Sequence, residues 1–448
     1  VSAGRKDTAT VRVALLGCGN VGSALVDMIF DPASAREIEL SSGVRLQIVG
    51  IAVRRPEASR SAEPWFPSDL LTQDAKGLVE RDDVDVVVEL IGGLDPAHRL
   101  VEAALNAGKS VVTGNKALLA RVGGELAELA AARGVDLLYE AAVGSAIPVI
   151  RPLRESLAGE RIVRVMGIVN GTTNFILSKM AQDSSTYEEA LAEAQELGLA
   201  EADPSADVEG HDAAAKAAIL ASLAFGADVV VDDVHREGIT EVTQSDVRYT
   251  GQLGYVIKPL AVAERIRGGS KISVRVHPAV VPSDHPLASV GGAFNAVFIE
   301  GEHAGEMMLY GQGAGGNAAA SAVLGDLIVA ARHLRYGGST PPASRRVAVD
   351  LVPVEELWSP FYLSMDVFDR PGVLAAVAGV MGEHGVSIRW MEQKGLGDEA
   401  RLIFLTHMAQ GGAVAATVEA LRRLDVVDRV GAVLRVLGPE SSGPSPDA

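Results

Sequence analysis

The sequence predicts an α/β protein in three parts: a doubly wound parallel sheet, an α+β region with a mixed sheet, and a C-terminal β-α-β-β-α-β module. Three observations carry this. In the first third of the chain, short β-branched runs alternate with amphipathic helical stretches, the pattern of parallel strands covered on both faces. From about residue 161 to 310 strand-like and helical segments follow each other without that alternation. Past a stretch rich in Pro, Ser and Arg, STPPASRRVAVDLVP, the last segments fall in the order of a ferredoxin-like split βαβ.

Taken in order, VRVALL (11–16) reads as a strand that ends in GCGNVG and continues as a helix through Phe30. Further strands are expected at LQIVGIAVRR (46–55), DVDVVVELIGG (83–93), SVVTGNK (110–116) and VDLLYEAAVG (135–144). PAHRLVEAALNAG and LLARVGGELAELAAARG are the helices between the last three. RIVRVMGIVNGTTNFIL (161–177) reads as strand, turn and helix, and Thr186 with Glu189 forms a capping box for a helix that stops at Gly198. An Ala-rich helix follows at about 212–226. KISVRVHPAV, AVFIE and MMLYG alternate with turns as a mixed sheet, and GQGAGG leads into a long helix ended by Gly337. FYLSMDVF, DRPGVLAAVAGVMGEHG, VSIRWMEQK, ARLIFLTHM, AVAATVEALRRLD and VGAVLRVLG supply the final module, and SSGPSPDA reads as a disordered tail.

Composition narrows the function. At 448 residues the chain holds two or three domains, with 48% apolar, 22% charged and 4% aromatic residues. Its 40 basic and 58 acidic side chains leave a net charge of -18, which repels phosphate backbones and anionic lipid. No nucleic-acid or membrane partner is expected. No apolar run approaches the roughly 20 residues of a membrane span, and VSAGRKDTAT is no secretory signal. The single Cys18 excludes an internal disulfide and a cysteine-built metal site, and the expectation is a cytoplasmic protein.

The chemistry starts at the first strand. GCGNVG, Gly17 to Gly22, follows a strand and opens a helix, the setting of a Rossmann-type dinucleotide turn. Gly17 permits the turn, Gly19 the approach of a pyrophosphate and Gly22 close helix–strand packing, with Asn20 and Val21 between them. The second strand ends in Arg54 and Arg55 rather than an acid, which suits the 2′-phosphate of NADP better than the free ribose of NAD; two solvent arginines is the other reading. Cys18, inside the turn, cannot serve thioester chemistry, so aldehyde chemistry here means direct hydride transfer with a proton donor at the carbonyl oxygen. No G-x-S-x-G elbow is present.

The stretch DPSADVEGHDAAAK, Asp203 to Lys216, concentrates acids before a single lysine. Asp212 and Lys216, i and i+4, share one face at the start of the Ala-rich helix, where a lysine beside a carboxylate can hold a poised proton. Glu201, Asp203 and Asp207 precede them. Zinc does not suit His211, which lacks a nearby His or Cys, and the calcium-loop spacing fails. From spacing alone, a solvated acidic loop and a catalytic pair fit equally; the small alanines favour a closely packed helix. Lys116, in GNKA, lies at the carboxyl end of the parallel sheet, where ligands bind, although an exposed loop lysine is the simpler reading of that residue alone. NGTTN (170–174) is read as turn chemistry or a ligand-facing loop.

These motifs together resemble homoserine dehydrogenase. Ala194 through Gly198, Asp203-Pro204, Asp207, Gly210, Asp212 and Lys216 are similar to that family's signature, and GCGNVG, GNKA, YEAAVGSAIP, NGTTNFIL and GQGAGG fall in its order. The DRPGVL module resembles the ACT domain of many bacterial members. The resemblance implies reduction of L-aspartate 4-semialdehyde to L-homoserine with NAD(P)H, on the way to threonine and methionine. It implies Lys216 as proton donor, Lys116 as a second lysine near the reacting centre, Glu201 and Asp212 as substrate ligands and Asp207 as a supporting acid. It further implies Thr113 and Gly315 near the cofactor, and a structural sodium ion (Na+) held largely by backbone oxygens of Glu140, Val143, Ser145 and Ile147. Threonine would inhibit through the ACT domain near the turn Asp366 to Gly372, and sheets would pair in a homodimer or homotetramer.

The expected organisation is an NAD(P)-binding domain at 10–148 completed by helix 316–336, a catalytic and dimerisation domain at 149–315, a linker at 337–358, the ACT domain at 359–438 and a disordered tail at 439–448. Two rivals remain at this point: another dehydrogenase of the same architecture, acting on a different amino-acid semialdehyde or imine, and a non-enzymatic amino-acid sensor.

Overall fold

The computed structural model describes residues 9–57, 66–266, 270–339, 349–395 and 399–438. The expected tail and the middle of the expected linker lie outside the described residues. The chain divides into two compact units: Val1–Glu160 with Ala218–Val231 and Leu309–Ala348, and Arg161–Ala217 with Asp232–Met308 and Val349–Ala448.

In the first unit the elements run β1 (Ala9–Leu16), α1 (Asn20–Phe30), α2 (Pro32–Ser42), β2 (Val44–Ala52), β3 (Leu71–Thr72), α3 (Ala75–Glu80), β4 (Val86–Glu89), α4 (Ala97–Asn106), β5 (Ser110–Thr113), α5 (Lys116–Arg133) and β6 (Leu137–Leu138). The strands form one parallel sheet in the order β3-β2-β1-β4-β5-β6, doubly wound about β1. Val13, Leu15, Val86 and Val88 are fully buried, as strands covered on both faces require.

Three strands are shorter than the apolar runs suggested. β2 stops at Ala52, so Arg54 and Arg55 lie beyond it on the exposed surface. β4 stops at Glu89, whose carboxylate accepts from the amides of Ile91 and Gly92 and bends the chain away. β6 keeps only two residues of VDLLYEAAVG before a single turn at Glu140–Ala142. Helix α2 went unread, although Asp31 caps it through the Ser34 amide at 2.9 Å and Pro32 opens it.

The rest of the chain runs β7 (Ile162–Ile168), α6 (Gly171–Asp183), α7 (Tyr187–Glu196), α8 (Ser205–Val208), α9 (His211–Phe225), β8 (His235–Arg236), α10 (Gln244–Gln252), β9 (Tyr255–Arg265), β10 (Lys271–Pro282), β11 (Phe294–Gly301), β12 (Gly305–Gln312), α11 (Gly316–Tyr336), β13 (Asp350–Leu351), β14 (Trp358–Ser359), β15 (Phe361–Phe368), α12 (Val373–Glu383), β16 (Ile388–Gly395), β17 (Glu399–Thr406), β18 (Ala409–Gln410), α13 (Gly411–Leu421) and β19 (Val427–Val436). Helix α11 belongs to the first unit, where Ala320, Val323 and Leu327 pack into the core around β1. The capping box at Thr186 and Glu189 is formed.

In the second unit β11-β7-β9-β10 are antiparallel neighbours. β10 then pairs in parallel with β19, and the sheet continues through β15, β17 and β16. The C-terminal βαββαβ module is therefore an extension of the mixed sheet. The described part of the stretch read as a linker is tied in as well, since β13 pairs with β10. Period-two alternation then assigns the faces of β15. Phe361, Leu363, Met365 and Val367 meet α12 and α13 in one core, while Tyr362 joins Ile176, Leu177 and Met180 of α6 in another.

One buried carboxylate fastens that second face. Asp246 of α10 caps its own helix through Thr243 and accepts from Tyr362 Oη at 3.0 Å and Ser364 Oγ at 2.8 Å. Replacing it strands two buried hydroxyls and removes the cap. Asp246→Ala should cost about 3 kcal/mol, seen in urea unfolding followed by Trp358 and Trp390 fluorescence; an unchanged midpoint would show that the bridge is dispensable.

Candidate active site

The turn after β1 is built around three glycines with separate physical reasons. Gly17 has φ +92°, and a Cβ there would lie 2.6 Å from the Leu90 carbonyl oxygen. A Cβ on Gly22 would lie 2.5 Å from the Gly17 oxygen. A Cβ on Gly19 would meet nothing within 4 Å, so that side of the turn is open. Helices α2, α3 and α5 each have an Asp or Asn side chain at their first amides; α1, with Gly19 as cap, has none. Its first N–H groups are thus left for an anion. Helix α11, capped by Gly315 and likewise without a side-chain cap, starts alongside, since a Cβ on Gly316 would lie 3.1 Å from the Asn20 oxygen. An open glycine edge, uncapped amides and nearby exposed Arg54 and Arg55 fit a dinucleotide phosphate.

At the carboxyl ends of β4 and β5, Glu89 is completely buried and accepts from Thr113 Oγ1 at 2.6 Å. Thr113 in turn accepts from the Asn115 amide at 3.0 Å, and Asn115 caps α5 while donating to the Gly93 oxygen at 2.7 Å. The Thr113 hydroxyl therefore points inward, and only the backbone of that residue is left for a ligand. Lys116, read as a loop residue, is the half-buried first residue of α5. Glu89 was not singled out in the sequence; the available signal was an acid closing an otherwise apolar strand, VVVE.

The Glu140 carboxylate accepts from the amides of Val149, Ile150 and Arg151 at 2.6, 2.7 and 2.9 Å. The Glu140 side chain is thereby committed to the protein, and the cation site at Glu140, Val143, Ser145 and Ile147 stays what the resemblance implies, one of main-chain oxygens. Among the described residues no three His, Cys, Asp or Glu side chains gather to hold a metal. Asp326 of α11 accepts from the Glu140 amide and from Arg151, both at 2.7 Å. Burial outweighs these bonds and pushes its carboxyl up to about 6.

In the second unit, α9 starts at His211 with Asp212 in its first turn, as its spacing required. Lys216, one turn on and 8% exposed, donates from Nζ to Asp212 Oδ2 at 2.7 Å and to the Val169 oxygen at 2.5 Å. Asn170 joins the acids. Its Oδ1 caps α6 at the Thr173 amide, and its Nδ2 donates to Asp207 at 2.7 Å and Asp212 at 3.0 Å. The structure thus gathers Asp207, Asp212 and Lys216. It leaves Glu201 exposed at the edge, only its carbonyl engaged, by Gln195. Asp203 is held below the usual carboxyl range by the Ser205 side chain and then by the Ser205 amide, from which it accepts at 3.1 Å, and so has a local role at the start of α8. His211 is exposed beside Glu209 at 3.2 Å.

An ammonium has three N–H donors, and Lys216 spends two on protein. The third is available to a developing alkoxide, while Asp207 and Asp212 retain lone pairs for a ligand ammonium. The sequence alone reads Asn170 as turn chemistry or part of a ligand-facing loop. Its grip on two acids 37 and 42 residues away is a tertiary fact that NGTTN does not advertise.

Residues 17–140 match the family model "Homoserine dehydrogenase, NAD binding domain", 148–328 the model "Homoserine dehydrogenase", and 361–426 the ACT domain. The chain is 51% identical over 441 residues to homoserine dehydrogenase of Mycobacterium tuberculosis, covering 96% of this chain and 99% of the relative. It is 49% identical over 436 residues to that of Corynebacterium glutamicum, covering 97% of each. Among solved structures, the homoserine dehydrogenase of Thiobacillus denitrificans superposes with a TM-score of 0.89 at 38% identity over 96% of this chain and 98% of that one. A hyperthermophilic archaeal homoserine dehydrogenase in complex with NADPH gives 0.61 at 30% identity, over 74% of this chain and 99% of that one.

Two predictions follow from the first unit. Gly19→Ala adds a Cβ into open space, so it should leave thermal stability unchanged yet weaken NADPH binding by at least about tenfold, read by NADPH fluorescence. Unaltered affinity would remove the phosphate from that edge. For Asp326, the native state keeps a proton between pH 3.8 and about 6 that the unfolded chain has released. Its contribution to stability is therefore greatest below that window and declines as pH rises through it. Urea unfolding across the window should show this decline in the wild type and a flatter profile in Asp326→Asn; parallel profiles would contradict it.

Proposed function

The chain belongs to the homoserine dehydrogenase family, and we propose that it reduces L-aspartate 4-semialdehyde to L-homoserine with NADPH, on the way to threonine and methionine. One observation carries the proposal: the buried Lys216 ammonium, held by Asp212 and the Val169 carbonyl with one donor to spare. The reduced nicotinamide, when bound, supplies the hydride to the aldehyde carbon. Lys216 holds and delivers the proton to the carbonyl oxygen. Asp212 keeps Lys216 oriented and takes the substrate ammonium, with Asp207 and Glu201 as further acids. Asn170 keeps Asp207 and Asp212 side by side by donating to both, which offsets their mutual repulsion. Lys116, at the start of α5, is the second lysine of the reaction.

The pyrophosphate is assigned to the first amides of α1, with Gly17, Gly19, Asn20, Val21 and Gly22 forming the turn and Gly315 and the Thr113 backbone close to the nucleotide. Arg54 and Arg55 are assigned to a 2′-phosphate, the basis for preferring NADP. A structural sodium ion on the backbone oxygens of Glu140, Val143, Ser145 and Ile147 is retained from the family resemblance, supported by the positive φ of Gly144 and Ser145, which turns successive carbonyls out of register. Threonine as inhibitor is assigned to the ACT turn Asp366–Gly372. Asp366 itself is paired with Arg401 at 2.6 Å, but α12 has no side-chain cap, and beyond the Val373 amide, which donates to the Arg370 oxygen, its first turn offers amides to a carboxylate. The domain limits proposed from the sequence, a homodimer or homotetramer, and a cytoplasmic setting complete the reading; no helix among the described residues is long and apolar enough to cross a membrane.

Lys216→Ala should lower kcat by roughly 10²–10⁴-fold while NADPH affinity stays near normal. An unimpaired kcat with aspartate semialdehyde would remove Lys216 from the chemistry. Replacing Arg54 and Arg55 together with alanine should shift the ratio of kcat/KM for NADPH over NADH toward NADH by about tenfold or more. An unchanged ratio would make them ordinary surface residues.

A further inference from the structure

Where β19 lies beside β10, the second unit encloses a small cavity of about 30 Å3. Its polar wall consists of Arg164, Arg275, Arg435, His277 and Ser359, with Trp358 among the apolar residues, and no carboxylate lines it. Two of the arginines spend their charge on carboxylates behind the wall. Arg164 pairs with Glu300 and Arg275 with Glu264, each at 2.6 Å.

Arg435 is different. It is buried, yet among the described residues no carboxylate lies within ion-pair distance of it. Its Nη1 donates to Ser359 Oγ at 3.3 Å, its Nη2 to the Val354 oxygen at 3.2 Å, and its guanidinium stacks over Phe361. These are long, neutral contacts for a buried cation. Burial, and secondarily Arg275, pull its pKa down to about 10, and the more distant carboxylates of Glu237, Glu355 and Glu264 offset only part of this. A charge at such depth with no carboxylate in direct contact is costly and favours a counter-ion.

His277 lines the same cavity and is also incomplete. Its Nδ1 meets the Pro278 oxygen at 3.0 Å, which makes Nδ1 the donor, and Nε2 has no hydrogen-bond partner. Only 4% of the residue is exposed, so bulk water does not satisfy that atom. A buried cation with no carboxylate within ion-pair distance and a histidine whose Nε2 has no hydrogen-bond partner thus line one cavity, with Glu237 outside its wall.

We propose that this seam cavity binds a small monoanion, of the class of chloride, formate or bicarbonate, with Arg435 as its principal ligand. Size sets the class, because roughly 10–15 Å3 accommodates one water, so this space takes an ion of a few heavy atoms and excludes an amino acid. A bicarbonate O–H, or one water accompanying a halide or formate, completes His277 Nε2. The site is distinct from the ACT turn assigned to threonine and does not depend on that assignment. Its position gives it a consequence. β10, which carries Arg275 and His277, also pairs with β8, and the chain after β8 donates from the Ile239 amide to the Val208 oxygen, next to Asp207. An anion that ties β19 to β10 therefore braces the strand on which the acid cluster leans.

The test uses the full chain in sodium chloride, formate or bicarbonate against sodium gluconate, an anion too large for the cavity, at matched ionic strength and pH. The small anions should raise Tm saturably by roughly 2–4 °C over gluconate. Wild-type protein should also broaden the chloride NMR line, with formate relieving the broadening by competition. Arg435→Met should abolish both responses. Equal Tm values in chloride and gluconate together with no excess broadening would overturn the proposal and leave water as the occupant. Full retention of the chloride effect in Arg435→Met would equally overturn it, and if that variant fails to fold, the wild-type linewidth and its competition by formate decide.

Discussion

The ammonium of Lys216, held between a carboxylate one helical turn away and the last carbonyl before Asn170, is the interaction on which the proposed chemistry of this protein depends. A lysine so buried keeps its charge only where partners replace lost water. The sequence around it serves that end. Ala213, Ala214, Ala217 and Ala218 are buried, so the stretch of α9 flanking Lys216 has no bulky apolar side chain to hold its neighbours off. Val169 is buried at the end of β7, which brings its carbonyl to Nζ, and Asn170 turns the chain into α6 while its amide holds two acids. The substrate recognition and proton delivery proposed for this chain would thus both follow from one junction between β7, α6 and α9.

The second constraint is sheet continuity. Because β19 extends the sheet from β10, and Asp246 receives hydrogen bonds from Tyr362 and Ser364 of β15, the ACT module has a rigid mechanical connection to the catalytic strands. A strand paired in parallel and a carboxylate buried on a helix cannot slide independently. A ligand that changes the module must do so by shifting packed strands, which is the kind of bistable element a regulatory signal requires.

The local rules were legible in the sequence, and the non-local ones were not. Glycine spacing, the i,i+4 pair of Asp212 and Lys216, the Thr186 capping box and the final βαββαβ order depend on neighbours along the chain and were read directly. Asn170 escaped because its partners come from another segment, and Val169 because only its main chain acts. Glu89 escaped because an acid at a strand end declares itself only once its partner Thr113 arrives on the next strand. The apolar runs overstated β4 and β6, since Glu89 and Glu140 turn the chain by accepting backbone amides, a competition that hydrophobic pattern does not register. Glu201, a substrate ligand by the resemblance, is exposed ahead of α8 with its carbonyl accepting from Gln195, and nothing local in the sequence declares that exposure. The pairing of β19 with β10 joins residues more than a hundred positions apart and has no local signature.

The central claim is that the Lys216 ammonium gives the proton that accompanies hydride transfer. The most direct measurement is amine rescue of Lys216→Ala in single-turnover NADPH oxidation with aspartate semialdehyde. If the ammonium is the donor, small primary amines should restore the rate in proportion to the concentration of their protonated form, with stronger ammonium acids rescuing better among amines of equal size. A variant that transfers hydride at the wild-type rate without added amine would contradict the account, and the proton would then have to come from another group.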